Sequence, residues 1–155
     1  MKLPYTPIKV IDTFLESPEL WNHYVSKQDF KNNKTEILST LSPDLFSSLA
    51  NKLIKHCHGC TGFQHLEIWF EKSTPDSPSV IEQGNLSFNI MGLIFLDKTS
   101  LLNTGIEFYN LKTSKLTMTV QHEFNRCVMF HPRENYKNLT SSVNKLIIKF
   151  AGVAV

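Results

Sequence analysis

Through the middle of this chain apolar and polar residues alternate at the period of β-strands, most densely from Gly92 to Pro132. Gly92-Leu-Ile-Phe-Leu-Asp97 is almost wholly apolar, which predicts a strand covered on both faces. Gly105-Ile-Glu-Phe-Tyr-Asn110 sets Ile106 and Phe108 against Glu107 and Tyr109, the pattern of a strand with one drier face. Phe124-Asn-Arg-Cys-Val-Met-Phe130 predicts a third strand. Asp97 to Ser100 and Leu102 to Gly105 supply turn residues between the first two. Further on, Lys115 to Val120 places Leu116, Met118 and Val120 against threonines, as in a half-buried strand. Pro132 to Ser142 is polar and reads as a loop, and Lys145 to Val155 closes with the apolar strand Leu146-Ile-Ile-Lys-Phe150.

The first third follows a different period. Ile8 to Asp12 is a short apolar strand. Asp12-Thr13 or Ser17-Pro18 can then start a helix, with Pro18 in its first turn and Leu20, Trp21, Tyr24 and Val25 at helical spacing. Gln28 to Lys34 is a polar connection. Ser42-Pro43 marks a second helix start, and Leu45, Leu49 and Leu53 with Phe46, Ala50 and Ile54 make a continuous apolar stripe that ends near Cys57 to Gly59. In Phe63 to Glu71, Leu66, Ile68 and Phe70 face one way and His65, Glu67, Trp69 and Glu71 the other. Ser73 to Ser79, with two prolines, is a loop, and Val80 to Phe88 is ambiguous because Gly84 interrupts it. The pattern predicts a mainly β fold with N-terminal helices over about residues 17–58, strands over about 63–155, and one domain spanning 1–155.

Composition narrows the classes. A chain of 155 residues can bury about two-thirds of the surface its unfolded form exposes, so neither metal nor disulfide is needed for folding. Sixteen Lys/Arg against fourteen Asp/Glu, scattered singly, give no basic stripe for nucleic acid, and the aromatic residues lack interleaved Lys/Arg and read as core. No apolar run has membrane-spanning length and no secretory signal is evident, which predicts an intracellular protein or part of an intracellularly assembled particle. Cys57, Cys60 and Cys127 are an odd set, favouring free thiols.

The order of segments resembles a known family. Ile8-Lys-Val-Ile-Asp-Thr-Phe-Leu-Glu-Ser-Pro-Glu-Leu20, Gly92-Leu-Ile-Phe-Leu96, Thr104-Gly-Ile-Glu-Phe-Tyr109, Phe124-Asn-Arg126 with Val128-Met-Phe130, and Lys145-Leu-Ile-Ile-Lys-Phe150 are similar to motifs of small 2-oxoglutarate/Fe(II)-dependent-oxygenase-like proteins of marine bacteria and their phages. The resemblance implies a double-stranded β-helix, or jelly-roll, with helices outside. It also implies iron held by a His-x-Asp pair and a distal His. Here the first position falls within Glu82-Gln-Gly-Asn-Leu86, without histidine, and the distal position falls on Tyr136. The family's carboxylate-clamping arginine corresponds to Lys145. The resemblance therefore implies a pocket among Gln83, Asn85, Tyr136 and Lys145 with no family-type metal and no cofactor.

Other constellations carry alternatives. His65-Leu-Glu67 emerges on one strand face and, with His131, forms a conceivable shifted triad for Fe(II), with Lys145 or Arg126 holding 2-oxoglutarate; the plainer reading is a polar strand face flanking Trp69. His56-Cys-His-Gly-Cys60 gathers soft donors that suit zinc or thiol redox chemistry, against the plainer reading of a helix end with free thiols. Arg126 can meet a ligand carboxylate or simply anchor an edge. Phosphate-binding glycine loops and the Gly-x-Ser-x-Gly elbow are missing, so nucleotide hydrolysis and acyl transfer are poor fits. The leading expectation is a non-catalytic oxygenase-like module, structural or binding, that forms a homo-oligomer or joins other structural proteins. The alternatives are an active Fe(II)/2-oxoglutarate dioxygenase using His65, Glu67 and His131, and a sugar- or small-ligand-binding jelly-roll.

Overall fold

A computed structural model of the chain describes residues 7–74, 80–98, 104–139 and 145–155. Within them the elements run β1 (Lys9–Ile11), α1 (Pro18–Ser26), α2 (Leu38–Leu41), α3 (Pro43–Ile54), β2 (Phe63–Ser73), β3 (Ile90–Phe95), β4 (Ile106–Tyr109), β5 (Leu116–Val120), β6 (Cys127–Phe130), β7 (Asn135–Asn138) and β8 (Lys145–Ala154). One sheet has the order β1-β6-β3-β8-β2 and a second the order β5-β4-β7. Every ladder is antiparallel. The fold is mainly β, with its helices in the N-terminal third.

The period of two along the strands decides which layer each side chain joins. On one face of the larger sheet Ile68, Phe70, Ile90, Ile94, Ile148 and Phe150 meet Val25, Leu38, Leu49 and Leu53 from the helices. On the other face Leu93, Phe95, Val128, Phe130 and Ile147 meet Ile106, Phe108, Val120 and Tyr136 from the smaller sheet. Phe108 and Phe130 cross edge to face, their centroids 4.9 Å apart. β3 is buried on both sides, as its unbroken apolar run predicts.

Helix starts follow their signals unequally. α3 begins at Pro43, and the Leu45 amide donates to Ser42 Oγ at 3.3 Å. α1 begins at Pro18 without a side-chain cap from Ser17, and the Asp12-Thr13 alternative is a turn with Thr13 at a φ of 51°. Leu20 faces solvent while Trp21, Tyr24 and Val25 pack inward.

Several expectations need correction. α2 was not foreseen, because one turn is too short for a periodic signal. Phe124 to Arg126 is a turn rather than strand, with Asn125 at a φ of 65°. β5 is an edge strand on which Leu116 and Met118 lie beyond the cover of the facing sheet, so it is largely exposed rather than half-buried. The polar stretch read as a loop contains β7, whose Asn135–Asn138 backbone pairs with β4 and buries Tyr136 alone. Val80 to Phe88 forms no strand, only a bridge between Glu82 and Tyr136. Most of the loop at Ser73 to Ser79, and parts of the turns at Asp97 to Ser100 and Leu102 to Gly105, lie outside the described residues.

Candidate functional site

Where the smaller sheet runs out, the face of the larger sheet that it covers elsewhere continues as a polar-lined cavity of about 280 Å³. Alternation along β8 puts Lys145, Ile147 and Lys149 on that face, and alternation along β2 brings Glu71 beside them. Glu82 and Asn138 complete the far wall. Lys149 Nζ and Glu71 Oε2 form an ion pair at 2.8 Å. Trp69 Nε1 donates to Glu71 Oε1 at 3.1 Å, so this carboxylate is held from two sides.

Lys145 is the unusual member. Only 3% of it is exposed, and its ammonium donates to the carbonyls of Thr104 (2.8 Å) and Leu139 (2.5 Å). Burial, offset in part by the Asp97 carboxylate and reinforced by Lys149, brings its pKa down to about 8. Asp97 accepts the Leu146 amide at 2.6 Å, while its own burial raises its pKa above the usual carboxylate value. β8 therefore starts with its side chain and backbone both tied to neighbouring connections.

Glu82 and Tyr136 are joined through two backbone hydrogen bonds of 2.7 and 3.0 Å. Burial, the carboxylates of Glu82 and Glu71, and a hydrogen bond to the Glu82 side chain all push the Tyr136 phenol to a higher pKa. It stays a protonated donor at neutral pH. Gln83 and Asn85 do not join the cavity. Gln83 Nε2 donates to the Arg133 carbonyl (2.8 Å) and Asn85 Oδ1 caps the Ser87 amide (2.8 Å), both at the surface. The sequence motif thus lies near the site but one residue out of phase: Glu82, adjacent to Gln83, is the residue that contributes. Glu71 and Lys149 were legible only as strand-face polar residues, since the β2–β8 register that pairs them is a long-range contact.

Arg126 anchors an edge. Its guanidinium grips both oxygens of Asp12 at 2.6 and 3.2 Å and donates to the Gln121 carbonyl at 3.0 Å. His65 Nε2 and Glu67 Oε2 are 3.7 Å apart on β2, but the structure does not bring His131 to them. His131 follows β6, and two strands separate β6 from β2 in the sheet, a span of about 14 Å at the usual strand spacing. Its Nδ1 accepts the Arg133 amide at 3.1 Å. In the segment after α3, burial raises Cys57 to about 11, which holds it as a thiol, and His56 is lowered by burial and by Lys9 and Lys52. Among the described residues no three His, Cys, Asp or Glu side chains are grouped so as to hold a metal ion.

The sequence matches no protein-family model and no curated protein. Solved structures do match. HygX from Streptomyces hygroscopicus, in a crystal structure with nickel and 2-oxoglutarate bound, superposes with a TM-score of 0.71 at 14% identity, over 96% of this chain and 83% of that one. A Pseudomonas putida prolyl-4-hydroxylase gives 0.68 at 10% identity, over 94% and 91% of the two chains. The viral collagen prolyl hydroxylase of Paramecium Bursaria Chlorella virus-1 gives 0.59 at 13%, over 97% and 91%. The chain has the fold of these oxygenase-like proteins. At such identities the likeness is one of fold, and the chemistry has to be argued from this chain's own residues.

Those residues do not fit iron in the manner of that fold. Beside the cavity the structure offers the Glu82 carboxylate and a protonated phenol already bonded to it. Two residues on, Gly84 is closely packed: a Cβ there would meet Met91 Sδ at 2.5 Å and Pro132 Cβ at 3.0 Å. One carboxylate cannot make the three-ligand face that holds such iron.

Proposed function

We propose that this chain is a double-stranded β-helix of the 2-oxoglutarate/Fe(II)-oxygenase type that works as a non-catalytic, ligand-binding module. From β3 onward the chain passes between the two sheets at almost every step, and Glu82 extends the smaller sheet beyond β7, which supports the jelly-roll winding. The observation that carries the reading is the Glu82–Tyr136 pair with Gly84 closed behind it. A carboxylate committed to a neighbouring phenol, and belonging to no group of three metal-ligating side chains among the described residues, is a poor cation site and a good polar wall. The adjoining cavity, with its lysines and glutamates, is the part of the fold suited to recognition.

The test is to supply Fe(II), 2-oxoglutarate and ascorbate to purified protein and to measure both bound iron and released succinate. The expected outcome is iron well below one equivalent and succinate no higher than with heat-denatured protein. Stoichiometric iron together with succinate release would overturn the reading.

A further inference from the structure

We propose that Cys57 and Cys60 are a reversible disulfide site, closed by low-molecular-weight disulfides of the glutathione type and reopened by thiol reductants. The turn that carries them sets the geometry. The Cys60 amide donates to the Cys57 carbonyl at 3.1 Å, which makes Cys57 to Cys60 a hydrogen-bonded β-turn. Gly59, the third residue of that turn, sits at a φ of 75°, the left-handed value that a type II turn demands there and that glycine adopts without strain. A turn closed in this way brings its first and last Cα atoms within about 7 Å, and a disulfide spans about 4.4–6.8 Å. The backbone is therefore folded to the separation that the bond needs while both thiols are still free.

The side chains are placed for unequal roles. Cys57 is 7% exposed and packs in the core beside the helices, its Sγ donating to the Leu53 carbonyl at 3.5 Å. Cys60 is half-buried at the margin of the same cluster, with its Sγ 3.8 Å from the His58 carbonyl. Thiols are weak donors, so little is lost when the two hydrogens leave. An oxidant in solvent reaches Cys60 first. Burial holds Cys57 as a thiol and suits it to resolve an adduct on its neighbour. The pair also follows the C-terminal end of α3, where the helix dipole disfavours thiolates. A dithiol whose thiolates gain nothing from their surroundings favours the oxidised state, the reverse of a pair at a helix N-terminus. The third cysteine, Cys127 in β6, is fully buried and lies outside the turn.

The step balances with the oxidant named. Cys60, as the thiolate, attacks one sulfur of the small disulfide and forms a mixed disulfide, expelling one thiol. Cys57 gives up its proton to water and attacks Cys60 Sγ, the mixed bond breaks, and a second thiol leaves. The protein loses two protons and two electrons, and the small disulfide takes them up as two thiols. Closing the bond draws Cys57 Sγ away from the Leu53 carbonyl, so the change begins at the last turn of α3. Neither cysteine lines the polar cavity, so this site is independent of the ligand-binding role proposed there.

The experiment equilibrates the full chain with glutathione and glutathione disulfide over a range of ratios, quenches it in acid, alkylates it unfolded, and locates every cysteine by peptide mapping. The expected product is a chain two hydrogens lighter, with a bond between Cys57 and Cys60, Cys127 still a thiol, and full reversal by dithiothreitol. Cys57→Ser should stop at a glutathione adduct on Cys60, and Cys60→Ser should take up no oxidant under the same conditions. Should a variant not fold, the map of the unaltered chain decides. A glutathione adduct that persists on Cys60 of the unaltered chain would overturn the proposal, because Cys57 would then be out of reach. So would a bond from Cys57 to Cys127, or three free thiols at every ratio.

Discussion

Asn125 is the residue whose replacement tests the architecture most sharply. It sits in the left-handed region, at a φ of 65°, in the turn before β6, and is 5% exposed. Its side-chain amide donates to the Leu15 carbonyl (2.8 Å) and accepts the Leu15 amide (2.7 Å), while its own carbonyl accepts the Phe14 amide at 3.0 Å. It thereby fixes the link between β1 and α1 against the sheet, across 110 residues of sequence. Truncating the side chain orphans one buried donor and one buried acceptor, each costing about 1–3 kcal/mol, so Asn125→Gly should lose roughly 3–4 kcal/mol. Asn125→Ala carries the same loss and adds about 1 kcal/mol for holding an L-residue in left-handed backbone. Urea unfolding followed by circular dichroism gives both values from the shift in midpoint at constant slope. A loss below about 1 kcal/mol in Asn125→Ala would refute the two-bond account. An alanine variant more stable than the glycine one would refute the conformational term.

Gly92→Ala should be among the most damaging single-methyl additions, because the new Cβ would meet Val128 O at 2.2 Å and the Phe150 ring at 2.4 Å in mid-sheet; a loss of about 3 kcal/mol or more is expected in thermal melts, and a shift of a few degrees or less would contradict it. Arg126→Met should cost only about 0.5–1 kcal/mol, since the Asp12 side chain is 61% exposed. Its hydrogen bond to Arg126 lowers the Asp12 pKa, so that contribution is present above the ordinary carboxylate range and vanishes as pH falls below about 4, where paired urea titrations of parent and variant should converge. Lys145 acts with the same sign in an alkaline window: the unfolded chain keeps this proton to about 10.5 and the folded chain releases it near 8, so between those values the unfolded state binds more protons and stability should rise with pH. The rise is on the order of 1 kcal/mol per pH unit and should be missing in Lys145→Arg; an identical slope in both proteins would refute it.

Much of the fold was legible because strand and helix periods are local. β2 and β4 announce their faces by alternation, β3 and β8 announce themselves by continuous apolar runs, and Ser42-Pro43 with its apolar stripe announces α3. What the sequence concealed follows from partners that lie far along the chain. β7 reads as a loop because Asn135, Lys137 and Asn138 are polar, yet its backbone has β4 to pair with, and hydrogen bonding to a neighbouring strand does not depend on side-chain character. Asn125 looked like part of a strand because left-handed backbone leaves no periodic trace.

The amino-acid sequence by itself determined a mainly β protein with N-terminal helices and with no histidine in Glu82-Gln-Gly-Asn-Leu86, since periodicity and residue identity need no coordinates. Only the tertiary structure decided that Arg126 answers Asp12, that His131 stands apart from His65 and Glu67, and that Lys145, Glu71, Lys149 and Glu82 share one cavity. The reason is physical. A side chain's neighbours across a sheet are set by register and by the closure of long loops, and the local pattern of a strand fixes which face a residue takes but not which residue it meets there.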